Sequence, residues 1–369
     1  MNVGMNDLSQ KYNNFTVPEA VVWIDGEKLS KEDIFFSDVE INKTLDGADT
    51  FSFTVADAID LEFNLRNETL FALGNKVEIH IGYADSSHDK SMLPLLFVGL
   101  ITKVTWNFGE SEHLNISLEG SDYSFLFMKH SYKKPYKEVS ISDVVEQIIE
   151  EVYPIFTSVN IASTDITYTL LQNQEENDYL YFKSLAERIG YEFYVANESF
   201  YFQPVPREQK ASLTLHYGKE ILSFKPELNL QKEVSSVKVV GLEFSENNEP
   251  IIGEASHSQG TDSDPGLKTL LRKVNTVEYE VREAVKSVDE ANKRAASLLQ
   301  NFSFNFFKAE ITVIGIPQLI PGMTIKLEGL GTRFSRNYYV EKTVHTISDE
   351  HYETTLTVRS SASAFNILG

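Results

Sequence analysis

The chain of 369 residues contains no cysteine, which removes disulfides, thiolate metal ligands and cysteine nucleophiles together. No apolar run approaches the roughly 20 residues that a membrane-spanning helix needs. The first twenty residues, polar and rich in Asn, have neither the basic start nor the apolar centre of a secretory signal. The expectation is a soluble protein made in the cytoplasm, with no membrane insertion and no exit by a signal of its own. Positive charge is also scarce: 33 Lys and Arg stand against 54 Asp and Glu, a formal net charge of −21. A protein that grips nucleic acid needs clustered cations to displace the counterions of phosphate. The densest basic stretch, 129–137 with Lys129, His130, Lys133, Lys134 and Lys137, is short and is followed at once by an acidic helix. The acidity suits solubility, or a surface or lumen along which polyanions slide without sticking.

Motifs of chemistry are wanting too. Eight histidines are dispersed and none stands in H-x-x-x-H spacing; His113, His257, His345 and His351 read as structural or solvent-facing. The loop Asp262-Ser263-Asp264-Pro265 resembles the start of a calcium loop but lacks a third ligand and the terminal Glu. Gly329 and Gly331 lack the further Gly and following helix that cradle a phosphate, and read as a hairpin turn. No G-x-S-x-G elbow occurs, and 54 acidic residues offer too many carboxylate pairs to single out a glycosidase site. No catalytic, cofactor-binding or metal-binding residue is assigned, no cofactor is expected, and the protein reads as a non-enzyme. Aromatic runs at 179–182, 191–194, 200–202 and 302–307 could form a sugar or base platform, but their helical and strand spacing suits packing.

What is present is alternation. With 42% hydrophobic and 12% aromatic residues the chain can bury the cores of two or three domains. Phe51, Phe53 and Val55, then Val77, Ile79 and Ile81, then Leu114, Ile116 and Leu118 alternate with polar residues, the mark of strands with one wet face. A short helix is expected at 56–64. Ser140 opens an amphipathic helix that ends before Pro154, and Asn177 caps a second one that Gly190 terminates. A hairpin follows around Ala196-Asn197-Glu198. Ser287 and Glu290 form a capping box for a third helix, whose Ala291 and Ala295 permit close approach to a sheet. Strands return at 308–316, 323–327, 338–346 and 352–359. The fold class is mainly β (α+β): two tandem tube-like antiparallel β-barrels with an inserted small α/β unit. The expected division is an N-terminal arm, flexible or docking, at 1–16, a first barrel at 17–135, an α/β insert at 136–220, and a second barrel with a packed helix at 221–369.

The two β blocks echo one another. Gly74 to Val77 has the offset of Gly322 to Ile325, and His113 to Leu118 that of His351 to Leu356, with Leu96-Phe97-Val98 set against Tyr338-Tyr339-Val340 between them. Such spacing fits a duplicated β module.

These segments carry a family likeness. The stretch Glu175-Glu176-Asn177-Asp178-Tyr179-Leu180-Tyr181-Phe182-Lys183-Ser184-Leu185-Ala186-Glu187-Arg188-Ile189-Gly190-Tyr191 resembles the helix-and-strand segment of phage late control gene D proteins and of the hub part of type VI secretion spike proteins. Residues 317–327, Tyr338-Tyr339-Val340 and Val344-His345 look like the closing barrel of that family. The resemblance covers most of the chain from about residue 20. It implies a structural baseplate hub of a contractile injection system or phage tail. Such a hub is a homotrimer whose six barrels form a pseudo-sixfold ring, joining a sixfold tail tube to a threefold spike and lining the central channel. The implied partners are a second and third copy, a separate spike protein (the chain stops at Gly369, soon after its last strand), a tail-tube or tube-initiator protein, other baseplate proteins, and DNA or protein cargo that passes without specific binding. The implied location is a virion or extracellular tail-like particle, assembled in the cytoplasm. Edge strands around Val77, Glu78, Ile79 and Ile81, and around Ile325, Lys326 and Leu327, are expected to meet neighbouring chains. The rival reading is a carbohydrate-acting enzyme or binding module on β-barrels, including a peptidoglycan-cleaving tail protein.

Overall fold

A computed structural model describes residues 5–360 except 30–33, 61–63, 85–92, 109–114, 206–209, 232, 245–248, 258–272, 274–277, 305 and 349–350. The chain opens with helix α1 (Met5–Lys11) and a 3-10 turn at Asn13–Phe15. Four-residue spacing puts Leu8 and Tyr12 on one face, and both are buried, at 2% and 3% exposure. Tyr12 and Phe15 pack on Tyr83 with ring centroids 5.9 and 5.2 Å away, and the Tyr12 hydroxyl accepts from Gln318. Of the two readings of the arm, flexible or docking, the described part docks on its own chain, because three apolar residues in a polar stretch share one side.

The early repeat contains β1 (Pro18–Ile24), β2 (Glu27–Lys28), β3 (Phe36–Thr44), β4 (Thr50–Val55), β5 (Lys76–Tyr83), β6 (Leu95–Asn107) and β7 (Asn115–Ser121). Alternation in β4, β5 and β7 sends Phe51, Phe53, Val77, Ile79, Ile81, Ile116 and Leu118 into the core; Leu114 lies outside the described residues. In place of the expected helix at 56–64, Ile59 and Leu65 form an isolated bridge, with 61–63 outside the described residues.

The chain then leaves the sheet. Helix α2 (Ser124–Lys129), β8 (Tyr136–Ser140), α3 (Ile141–Val152), β9 (Ser158–Ile161), β10 (Thr167–Leu171), α4 (Asp178–Ile189), β11 (Tyr191–Ala196) and β12 (Ser199–Pro204) build a core of their own. Ser140 and Asp143 close a capping box on α3, Asn177 accepts from the Leu180 amide, and Gly190 ends α4 in the left-handed region. The aromatic runs pack here. Phe127 meets Tyr153, Phe182 and Phe200 edge-on at 4.7, 5.3 and 5.9 Å, each such pair adding about 0.5–1.5 kcal/mol beyond the area it buries.

After β13 (Leu213–His216) and β14 (Ile221–Leu228), a three-stranded sheet of β15 (Ser236–Phe244), β16 (Pro250–Ser256) and β17 (Glu278–Glu283) receives α5 (Val288–Ser303). The Ser287 side chain accepts from the Glu290 amide, but Glu290 accepts from the Lys286 amide, one residue before the cap. The late repeat then closes with β18 (Phe307–Ile314), β19 (Thr324–Glu328), the helical turn α6 (Gly331–Phe334), β20 (Asn337–Ile347) and β21 (Tyr352–Ser360).

Both repeats lie in one thirteen-stranded sheet around one continuous core. The early path runs β1-β5-β6-β7-β4-β3 and the late path β13-β19-β20-β21-β18-β14, with β3 and β20 joining them. The correspondence reaches single hydrogen bonds. Gly74 donates to Ile101 and Gly322 to Val340; Ile101 donates to Asn75 and Val340 to Met323. Both glycines have positive φ, +91° and +86°, which a side chain would strain. The two outer alignments read from sequence coincide with this register, whereas the middle one slips by three, Val340 matching Ile101 rather than Val98.

Contact between α5 and its sheet is closest at Gly253, where an added Cβ would stand 2.1 Å from the Ala291 carbonyl carbon and 2.3 Å from the Asn292 nitrogen. Backbone cannot yield as a side chain does. Gly253→Ala is expected to destabilise the protein by about 1–3 kcal/mol, read from the urea midpoint; an unchanged midpoint would show that the helix is not seated there.

Candidate functional site

The seam between the repeats is fixed by both backbone pairing and buried polar contacts. Strand β20 pairs antiparallel with β3 from Lys342–Thr44 to Ile347–Val39. At its centre His345 faces Ile41 and is fully buried. Its Nε2 lies 2.9 Å from the Leu319 carbonyl, which can only accept, so the proton sits on Nε2. Nδ1 is left to accept from the Tyr352 hydroxyl at 2.9 Å. Burial pushes the His345 pKa down to about 3. Nearby, Lys43 pairs with Asp49 at 2.6 Å and donates to the Leu96 carbonyl. The neighbouring Asp122 carboxyl is raised well above the usual range by burial and then by Asp49. Burial raises the Asp49 carboxyl as well, so the pair is not split into one acid and one base as an acid–base site would need. Asp49 and Asp122 are 4% and 3% exposed, so they serve packing instead.

Three further carboxylates latch the α/β unit in place. Asp46, in the turn after β3, accepts from Lys183 at 2.7 Å and Tyr179 at 3.0 Å on α4. Burial pushes its carboxyl up, but these partners more than reverse it and hold it below the usual value. Glu192 accepts from Tyr339 of β20 at 2.7 Å, and burial raises it. Asp178, fully buried at the start of α4, accepts from the Tyr153 hydroxyl, the Tyr132 amide, Asn173 and His130 at 2.6 to 3.0 Å. Four donors on one carboxylate fix the entry of α4 within its core.

The seven residues expected at edges are placed otherwise. Strand β5 lies between β1 and β6, and β19 between β13 and β20. Val77, Ile79, Ile81, Ile325 and Leu327 are fully enclosed by their own chain. The edge assignment is corrected for a simple reason: the covering strands β1 and β13 come from distant sequence. Glu78 and Lys326 do reach solvent, paired with Lys76 at 2.8 Å and Glu328 at 2.6 Å. His345, read from sequence as structural or solvent-facing, is structural; sequence reading missed Lys43, although a Lys in phase with Val39 and Ile41 signals a charge on the buried face. His257, read as structural or solvent-facing, lies 2.8 Å from the buried Glu233.

A cleft of about 600 Å³ separates α5 from the α/β unit, lined by Tyr168, Arg188, Tyr191, Glu290 and Arg294. Most of its charges are already paired: Arg294 holds Glu283 and Lys293 holds Asp289, each at 2.8 Å, and Arg188 approaches Glu290 to 3.5 Å. Among the described residues no group of His, Asp and Glu could hold a metal ion. The sequence Asp262–Pro265 lies outside them. No helix among the described residues is long and apolar enough to cross a membrane.

Comparison with known proteins gives the fold a context. A 43 kDa tail protein of prophage MuSo2 from Shewanella oneidensis superposes with a TM-score of 0.69 at 14% identity, covering 94% of this chain and 99% of that one. A tail protein from Neisseria meningitidis gives 0.68 at 13% identity, over 95% and 98% of the two chains. An Escherichia coli component of the type VI secretion system, described as structurally similar to bacteriophage T4 tail proteins, gives 0.56 at 13% identity, over 93% and 77%. At such identities the likeness is one of fold. No curated protein sequence matches the chain. The model of a family described as the Alg8 N-terminal domain matches residues 14–349, a description that names a place in a protein and no reaction.

The neutral His345 ring ties the seam to pH. In the unfolded chain the ring protonates near its ordinary value of 6.5, whereas the folded value is about 3. Its contribution is therefore present above pH 6.5 and drains away as pH falls toward 3. His345→Gln, which keeps an N–H for the Leu319 carbonyl, should lower Tm at pH 7 yet show a shallower decline between pH 7 and 4. Parallel declines of Tm would rule this out.

Proposed function

The chain belongs to the Alg8 N-terminal domain family, and from its fold we propose that it is a structural baseplate hub of a contractile injection system or phage tail. One observation carries the reading: the doubled sheet, two paths of six strands in the same order that differ in that β1 joins antiparallel and β13 parallel, inside a fold shared over nearly the whole length with two tail proteins. A chain that presents two like modules can offer six of them from three copies. It thereby matches a sixfold tube on one side and a threefold spike on the other, without any reaction. In this proposal the two repeats act as tandem tube-like barrels, 17–135 and 221–369, the second completed by β13 from the end of the 136–220 segment, whose remaining elements form the insert. Glu78 and Lys326 meet adjoining chains. The net charge of −21 lets DNA or protein cargo pass the channel without adhering. The particle is assembled in the cytoplasm and works as a virion or tail-like body outside it.

The test is the solution mass by light scattering, with and without a co-expressed spike protein. The expected result is about three times the 41.8 kDa of one chain, either alone or once the spike is present. A monomer indifferent to the spike would overturn the hub reading.

A further inference from the structure

The internal repeat specifies a second seam that one chain cannot close. In the early repeat, β3 has β4 on one side and β20 on the other. Its counterpart in the late repeat, β14, has β18 on one side and no described strand on the other. The counterpart of β20 is β6, whose half beyond Ile101 pairs only with β7 among the described strands. An open edge and an open receiving strand therefore stand where the intrachain seam has both filled.

Register follows from the pairs already present. Leu100 pairs with Lys76 and Ser121 as Tyr339 pairs with Thr324 and Arg359. Both strands then shift register at the same place, after Ile101 and after Val340. Lys103 thus corresponds to Lys342 and Trp106 to His345. On the far side, Glu40 and Lys225 correspond through Ser52 and Glu310. Since Glu40 pairs with Thr346, Lys225 should face Asn107, Pro226 Trp106, Glu227 Thr105, and Leu228 Val104.

Exposure tells the same story. Ile41 and Lys43 are buried at 0% and 7%, while their counterparts Pro226 and Leu228 are exposed. Thr343 and His345 are fully buried, yet the counterpart of His345, Trp106, is 47% exposed. Asn229 donates to Phe306 on the β18 side, so strand alternation turns the amides of Phe224 and Leu228 to the open side together with Pro226. Proline is tolerated there because no ladder bond inside the chain requires its missing N–H. It also makes the edge a poor template for unrelated strands.

We infer that the β14 edge of one copy pairs antiparallel with the 103–107 half of β6 in a second copy of this chain, repeating the β3–β20 seam between molecules. Each copy gives an edge and receives one, a head-to-tail contact that closes into a ring. The inference deepens the proposed function and rests on that reading only for the number of copies.

The chain's lack of cysteine makes the test clean. By the same alternation, Glu227 and Thr105 form a non-hydrogen-bonded pair, with Cα atoms about 4.5 Å apart, inside the disulfide range. The double variant Thr105→Cys/Glu227→Cys, full length and mildly oxidised, should give interchain disulfide ladders on non-reducing gels. An equimolar mixture of the two single variants should stop at dimers. The displaced pair Thr105→Cys/Leu228→Cys, on opposite faces, should give none. Circular dichroism checks that these surface variants remain folded. No ladder from the first pair, or a stronger one from the displaced pair, overturns the inference whatever the mass. Light scattering on the same samples separates the two readings: a trimer without a ladder leaves the hub standing on another interface, and a persistent monomer with or without the spike removes both.

Discussion

Six residue pairs between β3 and β20 hold this molecule together as one body. Without them the early and late repeats would be two sheets, each with an exposed edge and a core cut open along it. The seam buries a neutral imidazole, a lysine–aspartate pair and a second aspartate where aliphatic side chains would be simpler. Burying charge costs stability unless partners are well placed. What the polar set adds is register, since sliding β20 by one residue would turn His345 away from the Leu319 carbonyl and put an unmet donor in the core.

The latches extend the same constraint outward. Asp46 in the turn after β3 holds Lys183 of the α/β unit, and Tyr339 on β20 holds its Glu192, so the unit is fastened to both sides of the seam. Asp178 does the equivalent within the unit, gathering donors from three chain segments around the first turn of α4. Its position one residue after the Asn177 cap lets the helix dipole favour the same charge that those donors neutralise.

Much of this was legible in the sequence, and the failures have physical causes. Local signals held: period-2 strands, the Ser140 and Asn177 caps, Gly190, and the small residues of α5 all act within a few residues of chain. The repeat was legible at Gly74 and Gly322, where backbone geometry limits the choice of residue. It slipped at Leu96-Phe97-Val98, because an apolar run fixes a face but not a register when a bulge follows. The edge assignment of Val77 to Ile81 failed because sheet neighbours are chosen by tertiary packing and β1 comes from over fifty residues earlier. Glu290 binds the Lys286 amide and not that of Ser287, a one-residue difference below what a capping motif can specify. The seam itself left one trace, Lys43 in phase with Val39 and Ile41.

Pairing β3 with β20 has a consequence in time. The two strands lie roughly 300 residues apart, so at a synthesis rate of about 5–20 residues per second the first waits about 15–60 s for the second to emerge. Throughout that interval Ile41 and Lys43 lack their cover, and the strand presents a free edge to every other nascent chain nearby. The N-terminal helix faces a similar delay, since Tyr12 must wait for Gln318. A sequence with this topology is under pressure for a soluble unfinished state as well as for a stable finished one. The excess of 21 negative charges keeps waiting chains apart by mutual repulsion while the last strands are still being made.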